Sequence, residues 1–124
     1  MLRTNGLNHV ALTVRDLDRA LEFYATLFGM EEQYRGDGML MVQTPGMGDD
    51  LTFVLDPTFA GGAGGLVHLG FRVLDPADVD LAAELVLVGG GTVVEQGELG
   101  PGEPYVLARD PDGYAVEIAY IPPS

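Results

Sequence analysis

Cysteine, tryptophan and lysine are all absent from this chain of 124 residues. Without cysteine there is no disulfide, no thiolate metal ligand and no cysteine nucleophile. Cations are scarce. Six arginines face nineteen acidic residues, for a net charge of −13. A surface that negative repels nucleic acid and anionic lipid, so neither is expected as a partner. No apolar run approaches the roughly 18 residues a membrane span needs. The start, Met1-Leu2-Arg3-Thr4, lacks a signal-peptide pattern, and a cytoplasmic location is expected. What the chain does have is apolar content, 47% of its residues. That is enough for a core, and the length fits one domain over 1–124.

Period and punctuation divide the chain into short elements. In Asn8–Val14, Val10, Leu12 and Val14 alternate with His9, Ala11 and Thr13, as in a half-covered strand. Asp16 is placed to cap a helix over Leu17–Phe28, and Gly29 to end it. Strands are expected at Glu31–Arg35, Met39–Gln43 and Leu51–Leu55. The order then restarts with a strand over Leu66–Val73 and a helix that begins at Asp75-Pro76 and stops at Gly89-Gly90-Gly91. Strands over Thr92–Gln96, Tyr105–Arg109 and Tyr114–Tyr120 complete it. Asp110-Pro111-Asp112-Gly113 supplies the last hairpin turn.

The pattern is therefore β-α-β-β-β, twice. His9 and His68 are 59 residues apart, and so are Asp16 and Asp75. Module one covers about 5–57 and module two about 66–121. A glycine-rich stretch at 60–65 reads as a flexible joint. It lacks the strand-loop-helix order of a phosphate cradle.

These two histidines are the only ones in the chain. With Glu117 they form a two-histidine, one-carboxylate set with no fourth donor, the donor set of an open divalent-metal site. Glu117 lies among small apolar residues, where a bare carboxylate is costly and a cation or two imidazoles would relieve it. On the face of His68 stands Arg72, suited to a substrate carboxylate or enolate, or to an acidic partner. Tyr105, two residues before Leu107 and on its face, is a candidate acid or hydrogen-bond donor. Met39, Met41 and Met47 suit apolar space or a pocket lining.

Several segments carry a family resemblance: Leu7-Asn8-His9-Val10, Val14-Arg15-Asp16-Leu17-Asp18-Arg19-Ala20, Leu27-Phe28-Gly29-Met30, His68-Leu69-Gly70-Phe71 and Asp110-Pro111-Asp112-Gly113-Tyr114-Ala115-Val116-Glu117. Together they resemble the vicinal oxygen chelate superfamily, which groups glyoxalases, bleomycin resistance proteins and extradiol dioxygenases. The resemblance implies an α+β fold in which two βαβββ modules curl into an open, metal-centred, barrel-like sheet. It implies metal ligands at His9, His68 and Glu117, and a homodimer. The apolar sides of the second helix, with Leu81, Leu85 and Val88 beside Val79, Ala82, Ala83 and Val86, point the same way.

For the reaction, the resemblance implies a metal-dependent enzyme on a small, oxygen-rich substrate. Fe(II) is the favoured ion, with Mn(II), Ni(II) and Zn(II) as alternatives. Family members with four ligands draw one from the fourth strand, where this chain offers Thr52 and Val54. That favours an extradiol-type dioxygenase over a glyoxalase-like lyase. A threonine used by fosfomycin-type transferases is Ala11 here, and the tyrosine of the seventh strand is Leu107. A bleomycin-type binder, acidic and without catalysis, is the reading from another class.

Overall fold

The computed structural model describes residues 1–123. Strand β1 (Val10–Val14) leads into helix α1 (Leu17–Phe28), then β2 (Glu31–Gly36), β3 (Met39–Gln43) and β4 (Leu51–Leu55). The second module repeats this with β5 (Leu69–Val73), α2 (Ala77–Val88), β6 (Thr92–Glu98), β7 (Pro104–Arg109) and β8 (Ala115–Tyr120). The expected βαβββ order holds twice. The first strand of each module is shorter than expected, however, and both histidines stand just ahead of the ladder.

Local chemistry accounts for the helix ends. The Asp16 carboxylate accepts the Arg19 backbone N–H at 2.9 Å, and Gly29 closes α1 in the left-handed region at φ 66°. At α2 the Asp75 carboxylate accepts the Ala77 N–H at 2.8 Å, while Pro76 offers no side-chain cap.

Each module forms its own four-stranded sheet, in the orders β1-β4-β3-β2 and β5-β8-β7-β6. The first and last strands of a module run parallel; the other pairs are antiparallel. Among the described residues the expected α+β fold of two βαβββ modules is thus built as two separate four-stranded sheets. Strands β1 and β5 are left as edges.

The core instead unites the modules through the helices. Phe23 and Tyr24 of α1 and Val79, Ala82 and Val86 of α2 pack in one cluster with Val14, Leu40 and Phe53 of the first sheet and Val106, Val116 and Ile118 of the second. Phe28 of α1 stacks on Phe71 of β5, ring centroids 4.0 Å apart. The helices also contact each other, so part of the broad apolar surface of α2 is covered inside the chain. Because strand side chains alternate, the opposite face of each sheet points away from this core. It carries Ala11, Met41 and Gln43 on one sheet and Gly70, Arg72, Leu107 and Glu117 on the other, all half-buried or exposed.

The glycine-rich joint is pinned rather than slack. Gly62 N–H donates to the Phe59 carbonyl, and Leu66 N–H to that of Ala63. At Gly61 the backbone has φ +82° and runs against the Asp112 carbonyl, so a Cβ there meets backbone. Gly61→Ala is expected to lower unfolding stability by about 1–3 kcal/mol. Gly70→Ala, on an open face with nothing within 4 Å, is the matched control and should shift the urea midpoint little.

Candidate functional site

Pairing of β5 with β8 sets the geometry. Gly70 stands opposite Glu117 in the parallel ladder. His68, two residues earlier, projects to the same face. Its Nε2 lies 3.8 Å from Glu117 Oε2, with the side chains 37% and 21% exposed. The carboxylate is half-buried on an open face, less enclosed than its apolar sequence neighbours suggest.

Arg72 shares this face. Its Nε and one terminal nitrogen donate to the Ile121 carbonyl at 2.9 and 2.6 Å. Among the described residues it makes no ion pair, so the acidic partner offered as one of its roles is not found there. Tyr105 donates its hydroxyl to Glu95. That hydrogen bond is the main cause raising the Tyr105 pKa above its ordinary value, and the charge of Glu117 adds to it.

Glu95 escaped sequence reasoning because a bulge puts it there. Val93 pairs with Ala108 on the core side, and the register then slips so that Glu95 pairs with Leu107 on the open side. Simple alternation from Val93 assigns Glu95 to the core. Strand β2 carries a bulge at the equivalent place, between Glu32 and Tyr34, so Tyr34 is the structural counterpart of Glu95, and the likeness of Glu31-Glu32-Gln33 to Val94-Glu95-Gln96 is out of step with it.

His9 stands immediately before β1 of the first sheet. Its Nδ1 lies 2.9 Å from Asn8 Oδ1. With the proton on Nδ1, this contact leaves Nε2 as a free lone pair, the arrangement a metal-binding imidazole needs. His9 and His68 both border a cleft of about 860 Å³ between the modules, walled by Leu27, Phe28, Leu69 and Phe71. Among the described residues, no three His, Asp or Glu side chains converge closely enough to hold a metal ion. One chain therefore joins His68 to Glu117 and leaves His9 apart.

A second polar cluster, read from sequence only as a hairpin turn, ties the modules together. Asp112, with a fully buried side chain, pairs with Arg15 at 3.4 Å and Arg19 at 3.1 Å. It also accepts the Arg15 backbone N–H at 2.9 Å. Asp110 Oδ2 accepts the buried Tyr24 hydroxyl at 2.8 Å, while its Oδ1 takes the backbone N–H groups of Asp112, Gly113 and Tyr114. The Tyr114 hydroxyl donates to the Thr13 carbonyl at 2.8 Å. These bonds hold the β7–β8 turn, and hence the start of the Glu117 strand, against β1 and α1.

Comparison with known proteins agrees with this architecture. Residues 6–118 match the model of the Glyoxalase/Bleomycin resistance protein/Dioxygenase superfamily, and the chain belongs to that family. A lactoylglutathione lyase of Arabidopsis thaliana is 32% identical over 89% of this chain and 42% of its own length. A manganese-dependent 2,3-dihydroxybiphenyl 1,2-dioxygenase of Geobacillus genomosp. 3 is 29% identical over 90% of this chain and 35% of its own. The chain thus spans well under half of these two relatives. The solved glyoxylase/bleomycin resistance protein/dioxygenase domain from Frankia sp. EAN1pec is 30% identical, with a TM-score of 0.76, covering 95% of this chain and 98% of that one.

Burial raises the Asp110 pKa above its ordinary value, against the lowering effect of its hydrogen bonds. A raised folded pKa means that Asp110 contributes most to stability below its unfolded pKa, and that this contribution falls as pH rises through the folded value. Asp110→Asn keeps the acceptor oxygen and does not titrate. Between about pH 3 and about pH 7, the stability of the wild type relative to this variant should decline. Urea unfolding of both proteins across that range tests it; a relative gain for the wild type contradicts it.

Proposed function

We propose that this protein is a metal-dependent enzyme that takes a small substrate through two adjacent oxygens, with extradiol-type ring cleavage as the specific reaction. The observation that carries this is the convergence of His68 Nε2 and Glu117 Oε2 to 3.8 Å on a solvent-open sheet face. Two donors at about 2.1 Å from one ion, at right angles, stand about 3 Å apart. Small rotations of two half-exposed side chains meet that spacing. The donor set suits Fe(II), with Mn(II), Ni(II) and Zn(II) also able to bind it. When bound, such an ion acts as a Lewis acid on the chelating oxygens.

The chain's own residues define the rest. Arg72 sits on the same face with its guanidinium anchored to the Ile121 carbonyl, a fixed positive charge beside the developing anion. Leu107, opposite Glu117 in the β7–β8 ladder, offers an apolar wall for a ring.

The third ligand, His9, comes from a second copy in this reading, which makes the protein a homodimer. Three observations support it. Among the described residues no element covers the open face of either sheet, β1 and β5 each leave one edge unpaired, and Leu7 and Val67 beside the two histidines, with Leu74 at the far end of β5, are 79–92% exposed. An uncovered apolar patch beside free strand edges is a typical association surface.

Protein expressed with supplemented Fe(II) or Mn(II) should retain near-stoichiometric metal. His68→Ala and Glu117→Ala should each weaken retention by about tenfold or more. Mixing and refolding His9→Ala chains with Glu117→Ala chains should restore about a quarter of the wild-type metal, since half of the dimers are mixed and each mixed dimer has one intact site. No recovery in the mixture overturns the shared site. Oxygen uptake with catechols supports the dioxygenase; turnover of a hemithioacetal instead supports the lyase. A protein that takes up no metal is better read as an acidic binder, which its charge of −13 also suits.

A further inference from the structure

Besides His68, Glu117 and the anchored Arg72, the open face of the second sheet holds another organised polar group. Tyr105 and Glu95 are hydrogen-bonded to each other. The bulge in β6 brings Glu95 to this face, opposite Leu107, and Leu107 in turn stands opposite Glu117. Tyr105 faces Gly97, and its ring lies over that glycine, where a Cβ would come within 3.0–3.2 Å of the ring atoms. Gly97 thus gives the tyrosine room to lie across the sheet and reach Glu95. The backbones of β6 and β8 are about 10 Å apart. A ring-sized substrate held at Glu117 extends toward this pair.

A phenol has one proton, and here Tyr105 donates it in the hydrogen bond to Glu95. The Tyr105 oxygen is left with lone pairs only, and the Glu95 carboxylate has acceptor capacity to spare. We propose that Tyr105 and Glu95 form an acceptor pair that selects substrates whose far end, away from the metal-chelating oxygens, carries a hydrogen-bond donor, best an ammonium group. The proposal rests on the metal-site reading above and adds the substrate's distal chemistry to it.

The surroundings favour a donor over an acid. Glu117 is the other carboxylate acting on Tyr105. Arg72 is the cation of the same face, across Ala119 from Tyr105 in the ladder, but its guanidinium is turned to the Ile121 carbonyl. A phenol is protonated at neutral pH, so with its proton donated to Glu95 the pair stays an acceptor.

Three probes with one chelating end and different tails separate the possibilities: dopamine, 4-ethylcatechol and 3,4-dihydroxyphenylacetate. They are titrated by absorbance into the metal-loaded protein at pH 7. Dopamine should bind about tenfold tighter than 4-ethylcatechol, and dihydroxyphenylacetate more weakly than either. Glu95→Gln should cut the dopamine preference to about twofold, leaving metal content and 4-ethylcatechol affinity unchanged. Tyr105→Phe should reduce the preference partway. Glu84→Gln removes an equal charge from exposed helix surface and should leave the ratio alone, which excludes bulk charge as the cause. Equal binding of the three probes, tightest binding of dihydroxyphenylacetate, or an undiminished preference in Glu95→Gln overturns the acceptor pair while the metal site stands. Failure of 4-ethylcatechol itself to bind overturns the metal site, and the pair's role with it.

Discussion

The helices cover only one face of each sheet, and the rest of the structure depends on that one-sidedness. Strand alternation then has no freedom: if Val106, Val116 and Ile118 enter the shared core, Tyr105, Leu107 and Glu117 must face outward. The same constraint turns Ala11 and Met41 outward on the first sheet. Function is carried on what the core leaves over. A face that is open in one chain allows substrate entry or association, and the proposed site uses both.

Rigidity comes from the junction of the modules. Apolar packing alone, such as the Phe28–Phe71 stack, leaves sliding motions inexpensive. The Asp110–Asp112 turn adds direction: its carboxylates receive Arg15, Arg19, Tyr24 and several backbone N–H groups. Burying two carboxylates is tolerable because both Asp110 oxygens and Asp112 Oδ1 are filled, the last by two arginines and a backbone N–H, while Asp112 Oδ2 is left without a partner. The result is that β8, which bears Glu117, is held in register with β1 even though no ladder links the two sheets.

Much of this was legible in the sequence. The 59-residue offset of the histidines, the capped helix over Leu17–Phe28 and the period-2 strands were enough for two βαβββ modules and for the faces of β1, β5 and β8. Three features were not legible, each for a physical reason. A bulge depends on how two strands pair, which one strand's alternation does not encode, so Glu95 was missed. The buried role of Asp110 and Asp112 needs residues about 90 positions earlier, such as Arg19. Convergence of three metal donors depends on how sheets meet, and within one chain these sheets stay separate. The resemblance supplied ligand positions, while the structure places only His68 beside Glu117.

The central claim is that His68 and Glu117 hold a divalent ion that His9 of a second copy completes. The most direct test is anomalous diffraction from crystals grown with Mn(II). The account predicts a single strong peak within about 2.3 Å of His68 Nε2 and a Glu117 oxygen, with a symmetry-related His9 imidazole as the third donor. A peak elsewhere, no peak at saturating metal, or a His9 ring turned away from that point in a dimeric crystal contradicts it.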